Sequence, residues 1–112
     1  GSSASTTTVD KKIGLMYVSD YGFAADQSGW TINLNDYGSN SSKNWLFLGS
    51  TEWTISRYSK DNFDVFYVSG TGGVGYNRVY DNSYAVRPTF SLLSSVSYAS
   101  GDGTLNSPIR IN

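Results

Sequence analysis

The segment 63–80, FDVFYVSGTGGVGYNRVY, constrains the fold of this 112-residue chain more than any other stretch. Two runs rich in β-branched and aromatic residues flank GTGG, a pattern typical of a β-hairpin. Residues 70–75 also match the G-x-G-x-x-G form of dinucleotide-binding loops, whose last glycine begins a helix. Here the following residues, YNRVYDNSYAVRP, carry no helical stripe. The segment therefore predicts a hairpin with a glycine turn and no nucleotide site.

Similar short runs, separated by Gly, Asn, Asp and Ser, continue along the chain and predict a β-rich fold with one or two short helices. In residues 51–59, Trp53 and Ile55 share one face of a strand, while Glu52, Thr54 and Ser56 share the other. Pro88 predicts a break or a sheet edge. The predicted elements are a central strand at 13–19, a helical turn at 23–27, a loop at 37–43, a buried strand at 44–49, the strand at 51–59, the hairpin, a strand-like stretch at 84–100, and a turn at 101–103 before a short closing strand.

Composition narrows the class of protein. A length of 112 residues allows one domain, which we assign to residues 11–112, and residues 1–10 are interpreted as an expression-tag remnant and flexible linker. Charged residues make up 15%, against roughly 25% in average soluble domains. Many Tyr, Ser, Thr, Asn and Gly residues form a polar, uncharged surface typical of an extracellular or cell-surface domain. A net charge of −1 offers no basic surface for nucleic acid, and no apolar run approaches the roughly 20 residues of a membrane span.

Catalytic and metal chemistry have little support in the residues. With no His and no Cys, the common catalytic triads, disulfides and most transition-metal sites are excluded. The acidic residues are scattered, mostly in Asp-containing turns, so turn formation is the favoured role. Asp20 and Glu52 remain as the remote alternative of a carboxylate-dependent hydrolase. We therefore predict no catalytic residue, no metal site and no cofactor.

The aromatic residues are the ambiguous feature. Trp45 and Trp53 lie inside apolar runs and are predicted to belong to the core. The tyrosines at 58, 76, 80 and 84 lie among Ser, Asn, Asp and Arg, which predicts partial exposure. Tyr, Ser, Asn and Gly are the usual residues of loop-built binding surfaces. A soluble β surface with incidental tyrosines explains the residues equally well.

Three ordered segments carry a family resemblance: KIGLMYVSDYGFAA, NWLFLGSTEWTISRYS and YAVRPTFSLLSSVSYASGDGTLNSPIRI. They resemble small bacterial and phage surface or pilin-associated domains, which are similar to the degenerate C-type lectin-like domains that carry the variable regions of diversity-generating retroelements. The resemblance implies an α+β, β-rich fold with a mixed, twisted sheet, short helices and long loops. It implies that residues 58–84 face the ligand and that Val86, Arg87 and Pro88 close this region. The cysteines that relatives often have near Ser28 and Ser42 are missing, and so are the calcium-dependent sugar motifs.

These observations lead to a hypothesis of a non-catalytic adhesion domain that recognises a protein or glycan and is monomeric in isolation. Tyrosine rings would supply apolar area and amides directional hydrogen bonds. Arg87 is predicted to be structural, bonded to a carboxylate or to backbone carbonyls. A structural pilin or surface-assembly module is the alternative. The predicted ligand-binding residues are Tyr58, Asn62, Tyr76, Asn77, Arg78, Tyr80, Asn82 and Tyr84.

Overall fold

The computed structural model describes residues 12–112, so the predicted linker at 1–10 lies outside the described residues. The fold is mixed α+β, as predicted, with seven short strands, one α-helix and two 3-10 segments among the described residues. The elements in chain order are β1 (Ile13–Leu15), α1 (Val18–Phe23), 3-10 segments at Gln27–Gly29 and Leu34–Lys43, β2 (Glu52–Arg57), β3 (Asp64–Val68), β4 (Val74–Arg78), β5 (Pro88–Phe90), β6 (Tyr98–Ser100) and β7 (Arg110–Ile111).

The strands form three small antiparallel sheets: β1 with β5, β2 with β3 and β4, and β6 with β7. The predicted hairpin is confirmed, because β3 and β4 pair without interruption from Asp64 opposite Arg78 to Val68 opposite Val74. Pro88 begins β5 in a two-stranded sheet, which confirms its place at an edge. A single parallel bridge, Glu52 to Ala85, attaches the segment before β5 to β2.

The core is small and lies between α1, the 34–43 segment and one face of the β2–β3–β4 sheet. Tyr21 and Val68 are fully buried, and the Tyr21 hydroxyl donates a 2.7 Å hydrogen bond to the carbonyl oxygen of Gly72 in the hairpin turn. This bond ties the helix to the turn. The core cluster consists of Met16, Tyr21, Ala25, Tyr37, Val68 and Val74.

The first predicted strand is wrong beyond Leu15. The carboxylate of Asp20 accepts a 2.8 Å hydrogen bond from the backbone N–H of Tyr17, and this cap starts α1 at Val18. The helix ends at Phe23, where the sequence predicted its helical turn to begin. The predicted loop at 37–43 is also wrong, since these residues belong to the 3-10 segment Leu34–Lys43.

The predicted buried strand at 44–49 is wrong as well. Asn44 is the buried residue here: its side-chain amide donates to the Tyr21 carbonyl at 2.7 Å, and its side-chain oxygen accepts from Leu46 N–H at 3.0 Å. The second bond turns the chain away from an extended path. Trp45 is therefore 77% exposed and does not belong to the core.

The alternation predicted for β2 is confirmed, but the polar face is the buried one. Glu52 and Thr54 are 2% exposed, whereas Ile55 is 47% exposed. The Arg87 guanidinium donates to Glu52 Oε1 at 2.7 Å and to the Leu46 carbonyl at 2.8 Å, and Thr54 Oγ1 donates to the Phe66 carbonyl at 2.8 Å. The structural role predicted for Arg87 is confirmed.

Residues 91–112, which we call the C-terminal arm, form the β6–β7 hairpin beyond β5. The predicted closing strand is confirmed as β7, whereas the strand-like stretch at 84–100 contains only the short strands β5 and β6. Nearly every residue of the arm is exposed, including Leu93 at 77% and Leu105 at 97%. Within residues 12–112, no helix has the length and apolarity to cross a membrane.

Candidate binding surface

The predicted site residues lie on both faces of the β2–β3–β4 sheet. Successive side chains of a strand point to opposite faces, and cross-strand partners share a face. Val68 and Val74 are partners and are buried, so they define the inner face, which also carries Tyr76. Asn77 therefore lies on the outer face.

On the outer face, three aromatic residues form one cluster. The ring centroids of Trp53 and Tyr84 are 4.5 Å apart, those of Tyr67 and Tyr84 are 4.9 Å apart, and those of Trp53 and Tyr67 are 6.2 Å apart. Gly75 makes room for Tyr67, because a Cβ there would lie 2.7 Å from the Tyr67 hydroxyl. All three rings are half-buried, so they hold each other in place while part of each ring stays in contact with solvent.

Polar groups of the predicted site border this outer cluster. The Asn77 side-chain amide donates to the Tyr84 hydroxyl at 3.3 Å, and this hydroxyl is 3.4 Å from the side-chain oxygen of Asn82. The Asn82 amide in turn donates to the Arg78 carbonyl at 3.1 Å. The structure thus brings together Asn77, Asn82 and Tyr84 in one hydrogen-bonded group.

On the inner face, beyond the core, Tyr58 and Tyr76 stack with ring centroids 3.8 Å apart and planes 4° from parallel. Phe66 meets both rings edge-on. Hydrogen bonding with the Tyr58 hydroxyl, and then its charge repulsion, raise the pKa of Tyr76 above its ordinary value. Like an ordinary tyrosine hydroxyl, that of Tyr76 is protonated at neutral pH and can donate a hydrogen bond.

The side chains of the other predicted residues are exposed and make their contacts outside both clusters. Asn62 accepts a 3.3 Å hydrogen bond from Arg57, and Tyr80 packs edge-on against Phe63. The Arg78 guanidinium is 4.0 Å from the Asp81 carboxylate, an exposed pair that contributes little stability. The eight predicted residues therefore do not form one continuous site.

The prediction that Trp53 belongs to the core is wrong, because its ring is half-buried in the outer cluster, and Tyr67 was not predicted as a member of this surface. The hairpin register contained the signal for Tyr67, because this residue lies directly opposite Gly75 and on the same face as Asn77. The partner of Trp53 is also Tyr67. The signal for Trp53 was weaker, since an apolar run gives no indication of which face is buried.

The two carboxylates of the hydrolase alternative have structural partners. Asp20 caps α1, and Glu52 is buried against Arg87. In the part of the chain that the structure describes, no group of three or more acidic residues lies close enough to hold a metal ion. The two clusters offer aromatic and amide contacts of the kind found in ligand-binding sites.

No protein-family model, curated protein or solved structure matches this chain.

Proposed function

We propose that this chain is a non-catalytic ligand-binding and adhesion domain that recognises a protein or glycan through the aromatic and amide side chains of the β2–β3–β4 sheet. The proposal includes a location outside a bacterial cell or on a virion and a C-type lectin-like fold, and the family resemblance supports both. The proposed function requires no cofactor, no metal and no nucleic acid. We propose that the isolated domain is a monomer.

The pre-ordered aromatic clusters carry this proposal. Tyr58 stacks on Tyr76 and Tyr84 packs on Trp53, yet Tyr76 is still 50% exposed. A side chain that its neighbours already hold loses little conformational entropy when a ligand binds. Rigid tyrosines and adjacent amides are therefore suited to recognition.

The test uses the fluorescently labelled protein on arrays of glycans and of extracellular proteins. We expect the native chain to bind at least one class of probe and the triple variant Tyr76→Ala, Tyr80→Ala, Tyr84→Ala to lose that binding. Tyr98→Ala is the matched control, because Tyr98 is 66% exposed but belongs to the C-terminal arm. Equal binding by the triple variant and the native chain would show that the surface is wrongly assigned.

The C-terminal arm favours a second candidate, a structural module that assembles with copies of itself or with other surface subunits. Its exposed Leu93 and Leu105 are the kind of apolar side chains that protein interfaces bury. Sedimentation velocity at increasing concentration separates the two candidates. A concentration-dependent increase in the sedimentation coefficient, abolished by Leu93→Asp, supports assembly, and a constant monomer value supports the binding domain.

A further inference from the structure

An open groove of about 560 Å³ runs beside the stacked tyrosines, between residues 32–36, where the 34–43 segment begins, and the inner face of β4. Tyr58, Phe66 and Tyr76 line one side. Residues 32–36 line the other, where the polar Asn33, Asn35 and Asp36 lie beside the apolar Ile32 and Leu34. This volume lies within the 300–1,000 Å³ range that is common for small-molecule sites. The sequence identified two of these residues as ligand-binding, Tyr58 and Tyr76, and gave no sign that residues 33–36 lie opposite them.

The polar side of the groove offers both acceptors and donors. Asp36 is exposed, and its carboxylate accepts one hydrogen bond from the Asn33 side-chain amide at 3.2 Å, which leaves further lone pairs free to accept. The side-chain amide of Asn35 is exposed and can both donate and accept. A ligand that satisfies this side must itself donate and accept hydrogen bonds at several positions. Hydroxyl groups do so.

The aromatic side offers a flat apolar surface. Tyr58 covers one face of the Tyr76 ring, and the remaining surface accounts for the 50% exposure of Tyr76. An aromatic face carries partial negative charge and attracts the slightly positive C–H groups of an aliphatic ring. A pyranose has such a C–H face and a rim of hydroxyl groups.

We propose that this groove binds an uncharged sugar unit of a glycan, with the sugar's C–H face on Tyr76 and its hydroxyls on Asn33, Asn35 and Asp36. This inference rests on the proposed binding function and names its ligand class and position. Phosphate, sulfate or sialic acid would meet the Asp36 carboxylate, and among residues 12–112 no Lys or Arg lines the groove to offset it. An ammonium group would leave the amide donors without acceptors.

The test is an array that carries neutral, sialylated and sulfated glycans, followed by calorimetric titration of the best neutral oligosaccharide. We expect neutral glycans to bind and Tyr76→Ala to weaken binding about tenfold, which equals the roughly 1.4 kcal/mol of one aromatic contact. Asp36→Ala, at an exposed position where the fold is not at risk, should weaken binding by a similar factor. Tyr98→Ala, in the exposed C-terminal arm, is the matched control and should leave the affinity unchanged.

The other outcomes separate this inference from the proposed function. Neutral-glycan binding that Tyr84→Ala abolishes and Asp36→Ala leaves intact would overturn the groove but keep the binding domain. Binding to acidic glycans alone, or to a protein probe alone, would overturn the sugar assignment and still keep the binding domain. If the native chain binds a probe and neither these variants nor the triple tyrosine variant changes that binding, both the groove and the proposed binding surface are overturned.

Discussion

Gly72 shows how one residue couples the hairpin turn to the rest of the core. Its φ is +91°, a conformation that costs an L-residue roughly 1–2 kcal/mol. A Cβ at this position would come within 2.5 Å of the Ser41 Cβ, and the Gly72 carbonyl accepts the hydrogen bond from Tyr21. The absent side chain therefore allows both the turn and its contact with α1 and the 34–43 segment.

We expect Gly72→Ala to lower the free energy of unfolding by about 3 kcal/mol, because backbone strain and a steric clash add together. Gly49→Ala is the matched control: Gly49 has a φ of +78°, but nothing lies within 4 Å of its Cβ position. In the control, only the backbone strain should lower the free energy of unfolding, by about 1 kcal/mol. Urea unfolding of the two variants measures the difference, and equal losses would contradict the steric argument.

The raised pKa of the Tyr21 hydroxyl predicts that stability changes in alkaline solution. Burial and then the Glu52 carboxylate raise the pKa of its hydroxyl from 10.0 to about 12. Between these values the unfolded chain has lost the proton and the folded chain keeps it, so the free energy of unfolding falls as pH rises from 10 to 12. Below pH 10 the hydroxyl is protonated in both states, so the stabilisation that Tyr21 provides is fully present.

The measurement is the free energy of unfolding in urea at pH 9 and pH 11.5. Tyr21→Phe should be less stable at pH 9 by about 1–3 kcal/mol, since the Gly72 carbonyl loses its donor. It should also show a shallower decline toward pH 11.5. Tyr98→Phe, in the exposed arm, should decline as the native protein does, and an equally steep decline for Tyr21→Phe would contradict the assignment.

At the scale of elements, the ion pair between Glu52 and Arg87 joins β2 to the segment before β5. The Glu52 side chain is 3% exposed, and Arg87 also donates to the Leu46 carbonyl. Removing one partner of a buried pair leaves the other charge without compensation, which typically costs 3–5 kcal/mol.

We therefore expect Arg87→Met to lower the free energy of unfolding by about 3–5 kcal/mol, measured by urea unfolding at pH 7. Arg110→Met is the control, since Arg110 lies exposed on β7. It should change stability by less than about 0.5 kcal/mol. A small loss for Arg87→Met would mean that the pair does not hold this segment in place.

At the scale of the whole molecule, the C-terminal arm stands apart from the core. The radius of gyration is 16.0 Å, against about 13 Å expected for a compact domain of this length. None of the core-cluster residues belongs to the arm, and β6 and β7 pair only with each other within the described residues.

Deleting residues 91–112 should therefore leave a cooperatively folding chain with a loss of less than about 2 kcal/mol, because an isolated two-stranded hairpin contributes little stability. Thermal unfolding followed by near-ultraviolet circular dichroism gives the measurement. Deletion of the sequence from residue 84, which also removes Arg87 and β5, is the comparison and should unfold the chain. Loss of cooperative unfolding in the shorter deletion would show that the arm is part of the core.

The sequence by itself determined the local pattern: the β3–β4 hairpin, the glycine turn, the edge at Pro88, the alternation of β2 and the structural role of Arg87. These follow from backbone preferences and side-chain periodicity, which act over a few residues. Tertiary structure alone decided which residues of each segment are buried. It buried Glu52 and Thr54 because Arg87 and the Phe66 carbonyl satisfy them, and it exposed Trp45 because Asn44 turns the chain. It also placed Asn33 and Asp36 opposite Tyr76, because partners distant in sequence leave no local signal.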